Sequence, residues 1–221
     1  MNKLYENTTK FITIQLTSRE EWLKARENSI GGSEASSLID VNPYCSLRQL
    51  WERKKSNNIE EISNELIDYG NRLEPILRAM FQAKHPDYDV QYQENTLLKS
   101  NEFDFAHYSA DGLIWDGARP GILEIKTSFI RNSEMNNEWK NRIPTQYFVQ
   151  ILHGLWVTGF DFVDLFAELR YLDGNSSIKQ YHIERKEVLD DIEYLIEQET
   201  TNWNRYFLGN EEPPITIKLG G

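Results

Sequence analysis

Ser109-Ala110-Asp111-Gly112-Leu113, followed after a turn by Gly121-Ile122-Leu123-Glu124-Ile125-Lys126-Thr127, is the stretch on which the reading of this chain turns. The second segment is rich in apolar and β-branched residues, while the first is short and ends in Asp-Gly-Leu. Asp116-Gly117-Ala118-Arg119-Pro120-Gly121 between them supplies the turn residues of a hairpin connection. Residues two apart on a strand share a face, so Glu124 and Lys126 point one way while Leu123 and Ile125 point into a core. The hairpin brings Asp111 beside Glu124. Two carboxylates and a lysine are thereby expected at one end of a sheet. Without further context an E-x-K spacing suits an ordinary solvated strand face; the Asp-Gly on the preceding strand makes it a candidate metal site.

Working outward, the sequence before this stretch reads as helical and the sequence after it as mixed. Residues up to Leu16 read as an N-terminal arm and 17–221 as a single domain. Thr17-Ser18-Arg19-Glu20-Glu21 carries overlapping capping boxes and opens a helix towards Asn28. Gly31-Gly32 breaks it, and Ser33 is expected to cap a short helix through Ile39. Asn42-Pro43-Tyr44 reads as a turn, and Ser46 as the start of a helix to Lys54. Ser56 to Asn64 reads as a loop. Leu66, Leu73, Leu77 and Phe81 recur at helical spacing in a helix from Asn64 to Lys84. Pro75 inside it is expected to kink the helix or to mark its true start. Strands are expected at Tyr88–Gln93, Thr96–Lys99, Ala106–Trp115, Ile122–Phe129, Phe162–Tyr171 and Ile178–Ile183, with helices at Thr145–Thr158 and Val188–Phe207. The fold class is α/β: a mixed sheet flanked by helices.

Composition narrows the function. The 221 residues carry 24 Lys and Arg against 35 Asp and Glu, a net charge of −11. An acidic chain disfavours nucleic-acid contact unless charge is segregated, yet metal sites require acidic ligands and a bound cation reverses the local sign. One cysteine, Cys45, excludes an intrachain disulfide and a thiolate-held iron–sulphur cluster. No apolar run approaches the roughly 20 residues that span a bilayer, and Met1–Phe11 lacks a secretory apolar segment, so a cytoplasmic, non-membrane protein is expected. His85, His107, His153 and His182 show no ligand spacing. Gly31-Gly32-Ser33 lacks the Lys-Ser/Thr of a nucleotide-binding loop.

Four motifs in order resemble a known family: Arg26 with Gly31-Gly32-Ser33-Glu34-Ala35; Gly70-Asn71-Arg72-Leu73-Glu74-Pro75; Ser109-Ala110-Asp111-Gly112 with Leu123-Glu124-Ile125-Lys126; and Tyr147-Phe148-Val149-Gln150 leading to Leu155-Trp156-Val157-Thr158. Over Trp22 to Glu168 the chain resembles the lambda-exonuclease, or YqaJ-type viral recombinase, group of PD-(D/E)xK nucleases. The resemblance implies a restriction-endonuclease-like core and a Mg²⁺-dependent exonuclease, with two ions per site and Mn²⁺ as a substitute. It casts Asp111, Glu124 and the Ile125 carbonyl as metal ligands, Lys126 as the catalytic lysine, Glu74 as a further acidic member and Gln150 as an orienting residue. Arg26, Ser33 and Ser109 would form a pocket for the 5′-phosphate, by a bidentate guanidinium and a helix N-terminus. A second phosphate-binding arginine expected after Ser33 is missing from Asn42-Pro43-Tyr44, leaving Arg48 as a substitute, and the loop between Asp111 and Glu124 differs in length. The implied activity is 5′-to-3′ digestion of double-stranded DNA ends by a homotrimeric ring, leaving a 3′ single strand for a single-strand annealing protein in a phage or prophage setting. A restriction-type or structure-specific endonuclease on the same core is the alternative.

Overall fold

The computed structural model describes residues 4–56 and 64–215; the loop expected from Ser56 to Asn64 falls, apart from its ends, outside the described residues. The elements in chain order are β1 (Phe11–Gln15), α1 (Arg19–Arg26), β2 (Ile30–Gly31), α2 (Gly32–Leu38), α3 (Leu47–Lys55), α4 (Glu65–Lys84), β3 (Asp89–Gln91), β4 (Thr96–Ser100), β5 (Ala106–Tyr108), β6 (Gly112–Trp115), β7 (Pro120–Ile130), α5 (Ser133–Glu138), α6 (Thr145–Thr158), β8 (Phe162–Tyr171), β9 (Ser176–Glu184) and α7 (Leu189–Asn202).

The strands make two mixed sheets. A five-stranded sheet runs β3-β6-β7-β8-β9, antiparallel except for the parallel β7–β8 pair; a four-stranded sheet runs β1-β4-β5-β2, antiparallel except for β5–β2. A parallel pair needs a crossover, and α5 with α6 supplies it between β7 and β8. Helix α6 is apolar all round, with every residue from Val149 to Thr158 buried, as suits a helix enclosed by the core. Around it gather Tyr108, Leu113, Ile122, Val163, Leu165 and Leu195. On the other face of the five-stranded sheet α4 lays Leu77 and Phe81 on Leu123, Ile125, Phe162 and Phe166. Strand β7 is therefore covered on both faces, and Glu124 cannot be the solvated strand residue that its spacing alone would suggest.

Several expectations change. Ser33 lies inside the first turn of α2 and the cap position belongs to Gly31. Pro75 neither starts nor breaks α4, which runs unbroken from Glu65 with Asn64 as its cap; the missing amide merely leaves one carbonyl, four residues earlier, without its helical donor. Phe11–Gln15, in the expected arm, pairs with β4. Ala106–Trp115 is two strands in two different sheets, because the chain leaves the ladder at 109–111. The last helix passes into a π-helical turn at Trp203–Leu208.

Candidate active site

The break between β5 and β6 sets up the site. Strand β6 pairs with β7 only as far as Gly112↔Leu123. Beyond that point Asp111 turns its side chain into the vacated ladder position, where Oδ2 accepts the Ile125 N–H at 2.8 Å. A residue's N–H and C=O leave a strand on the same side, so the Ile125 carbonyl opens towards the Asp111 edge too. A cleft of about 280 Å³ lies here, lined by Asp111, Ile125, Lys126 and Thr127 from the sheet side and by Leu66, Ile67, Gly70, Asn71 and Glu74 from α4.

Glu124 stands behind Lys126 with no exposure. Its Oε1 accepts from Lys126 Nζ at 2.5 Å and from Gln150 Nε2 at 2.6 Å, and its Oε2 accepts the Tyr108 hydroxyl. Gln150, which the family resemblance casts as an orienting residue, is thus a buried partner of the carboxylate. Glu74 is bound by Arg78 one turn later on α4, and Arg78 Nε also donates to the Asp111 carbonyl at 2.5 Å. The electrostatics follow from crowding. Burial, then the Glu124 charge, push Asp111 well above the ordinary carboxylate range. Burial also raises Glu74, against the Arg78 charge. For Lys126 burial disfavours the ammonium, but the Glu124 and Asp111 carboxylates outweigh it and raise its pKa. The arrangement is one firm cation among carboxylates that repel each other.

Among the described residues no three His, Cys, Asp or Glu side chains form a closed metal cage. Magnesium does not need one: it takes one or two carboxylates and keeps several waters. The donors present suit it. Asp111 Oδ1 takes no hydrogen bond among the described residues, the Ile125 carbonyl opens on the same edge, and the donors to Glu124 fill three of the roughly four lone-pair sites of a carboxylate. All are hard oxygens.

The second expected cluster is only partly assembled. Arg26 Nη2 lies 3.5 Å from Ser33 Oγ, with the guanidinium 4.0 Å from the Trp22 ring centre. Ser109 instead donates to the Thr96 carbonyl at 3.3 Å. Arg48 is engaged by Glu52, Glu212 and the Pro213 carbonyl, away from Ser33. The two clusters are near neighbours: a Cβ on Gly32, between Gly31 and Ser33, would lie 3.0 Å from the Tyr108 ring and 3.1 Å from Gln150.

Residue patterns left Tyr108 and Arg78 unmarked. The signal for Tyr108 is Gly154, an unfavourable residue in a buried helix interior. A Cβ there would lie 2.8 Å from the Tyr108 ring, so glycine leaves room for the tyrosine that reaches Glu124. Gly154→Ala should therefore destabilise the protein and lower its melting temperature, because about 1–3 kcal/mol of overpacking outweighs the roughly 1 kcal/mol by which alanine favours helix over glycine. It should also displace the Tyr108 hydroxyl from Glu124. A variant that melts higher than wild type would contradict this packing.

Residues 21–161 match the family model of the YqaJ-like viral recombinase domain. The chain belongs to this family. It is 30% identical over 200 residues to the YqaJ protein of Bacillus subtilis (strain 168), and 27% identical over 154 residues to protein R354 of Acanthamoeba polyphaga mimivirus. Those matches span 90% and 66% of this chain but only 59% and 28% of the relatives. Among solved structures the fold resembles an alkaline exonuclease from Laribacter hongkongensis, at a TM-score of 0.60 and 17% identity, over 86% of this chain and 96% of that one. A phage-related exonuclease from Haemophilus somnus 129PT gives 0.54 and 14%, over 83% and 96%. The YqaJ-like chain thus has the restriction-endonuclease-like fold of these exonucleases.

Proposed function

We propose that this YqaJ-like chain is a divalent-metal-dependent exonuclease that digests the 5′ strand of double-stranded DNA ends to mononucleotides. The observation that carries the reading is the join at β6–β7, where the Asp111 carboxylate takes the ladder position beside Ile125 and the Glu124–Lys126 pair lies on the same strand. A bound Mg²⁺ or Mn²⁺ would polarise the scissile phosphoryl group and lower the pKa of a water. Asp111, the Ile125 carbonyl and Glu124 would hold it, with Glu74 at the cleft wall. Lys126, kept protonated beside Glu124, orients the attacking water and offsets charge growing on the phosphate. Gln150 and Tyr108 fix Glu124 so that these groups need little rearrangement.

Arg26 and Ser33 are proposed to receive the terminal 5′-phosphate, with Ser109 joining them only by giving up its bond to Thr96. A trimeric ring, an annealing partner and a phage or prophage setting complete the proposal; they rest on the likeness to the lambda-exonuclease group. No described helix is long and apolar enough to cross a membrane.

The test is digestion of end-labelled linear duplex beside covalently closed circular duplex, with and without EDTA. Release of nucleotides from the 5′ end of linear DNA alone, stopped by EDTA, is expected. Cleavage of the closed circle would transfer the site to an endonuclease; digestion in EDTA would remove the metal.

A further inference from the structure

We propose that His107 is a specificity-determining positioning residue, which holds the Arg26 guanidinium in the orientation that receives a terminal phosphate. The inference rests on the proposed role of Arg26 and Ser33 and adds what makes that arginine selective.

The His107 ring is buried, and Arg26 Nε donates to its Nε2 at 3.2 Å. A guanidinium nitrogen can only donate, so Nε2 is the acceptor and Nδ1 carries the proton. Ser29 Oγ, 2.8 Å from Nδ1, accepts it. The imidazole is thus neutral, in agreement with burial and the Arg26 charge, which hold its pKa well below the usual histidine value. With Nε spent on His107 and the guanidinium plane set against Trp22, the Nη side of the fork turns to Ser33. An arginine fixed in its plane loses less entropy when it grips a phosphate with two parallel bonds.

The surroundings are cut to fit this pair. Gly31 lies opposite His107 in the parallel β2–β5 ladder. A Cβ on Gly31 would lie 2.7 Å from His107 Nε2 and in ordinary contact with Arg26 Nη2 at 3.4 Å, so any larger residue would displace the acceptor that holds the guanidinium. From the core side His153 Nε2 donates to the His107 carbonyl at 3.0 Å, while its Nδ1 faces both oxygens of Glu199 at 3.0 Å. Burial disfavours the His153 imidazolium, but the Glu199 carboxylate beside it outweighs burial and raises its pKa. The buried His153–Glu199 pair therefore pins the backbone of the residue whose ring holds Arg26.

The experiment measures the rate on linear duplexes ending in 5′-phosphate relative to 5′-hydroxyl, for wild type, Arg26→Ala, His107→Leu, His107→Gln and His107→Asn. His107→Leu should cut the preference about tenfold or more, the scale of one lost charge-assisted bond, and should do so by raising KM on the phosphate-ended duplex. His107→Gln places an oxygen near the lost Nε2 and should restore the preference. His107→Asn is too short to reach Arg26 and should not. The Gln and Asn variants decide the matter if His107→Leu does not fold. Equal preference in Gln and Asn, or equal slowing on both ends in His107→Leu, overturns the role of His107. If Arg26→Ala keeps the wild-type preference, or wild type has none, the phosphate-pocket reading fails instead. Loss of preference in Arg26→Ala with none in His107→Leu leaves that reading standing and removes His107 from it.

Discussion

Asp111→Asn is expected to abolish metal-dependent DNA digestion, by about 10³-fold or more, while the metal-free protein melts no lower than wild type. Asparagine keeps the shape and can still accept the Ile125 N–H through its amide oxygen, so the ladder position at the end of β6 stays filled. What it removes is a negative charge that burial and Glu124 already penalise. Under the proposed role, a carboxylate kept where it repels its neighbour is a cost that the folded state bears for chemistry. Lys126→Met provides the contrast. It should lose activity on the same scale, but it strips Glu124, which has no exposure, of its only ion-pair partner among the described residues. Breaking a buried pair from one side costs about 3–5 kcal/mol, unless Glu124 takes up a proton. Nucleotide release and thermal melting in EDTA separate the cases: both variants inactive, with stabilities moved in opposite directions. If Asp111→Asn were fully active the metal assignment would fall; if Lys126→Met melted with wild type the pairing would.

What the sequence disclosed and what it hid divide along a physical line. Glu124, Lys126 and Asp111 were legible because strand alternation and a hairpin are local rules, and all three lie within sixteen residues. The Thr145–Thr158 helix was equally legible, its apolar surface being nearly unbroken. Polar groups that reach across elements were not. Tyr108 belongs to the four-stranded sheet and Glu124 to the five-stranded one, and nothing in their spacing foretells the hydrogen bond between them. The same chain break made one expected strand of Ala106–Trp115 into two, since Asp111 must leave the ladder to reach Ile125. Gln150 and His153 did carry a signal. Each is a polar residue within a helix that is otherwise apolar, and a buried polar group demands a partner; the partners are Glu124 and Glu199. Arg26 and Ser33 do lie within 3.5 Å of each other, but the idea that Ser33 caps α2 fails because Gly31 already occupies that position.

Metal and pH should act on stability through Asp111 in opposite senses. Its folded pKa is raised from an ordinary 3.8, so the folded state binds a proton more tightly than the unfolded chain. The stability this gives is fully present below the ordinary value and is lost as pH rises through the raised one. Glu74 is shifted the same way. Carboxylates held down by arginine work in the opposite direction at lower pH: Glu184, lowered to about 2 chiefly by its bond to Arg119, has its whole contribution in place above 4.5. In EDTA the wild-type melting temperature is therefore expected to fall relative to that of Asp111→Asn as pH rises through the raised pKa of Asp111, well above the ordinary 3.8. Magnesium must displace the Asp111 proton to bind, so it should restore more stability at high pH than at low, about 2.7 kcal/mol when present at a hundredfold excess over its Kd. Melting curves of both proteins, with Mg²⁺ and with EDTA across the pH range, read this directly. Parallel curves for the two proteins in EDTA would show that Asp111 is not the half-buried, proton-binding carboxylate described, and an equal response of Asp111→Asn to Mg²⁺ would place the ion elsewhere.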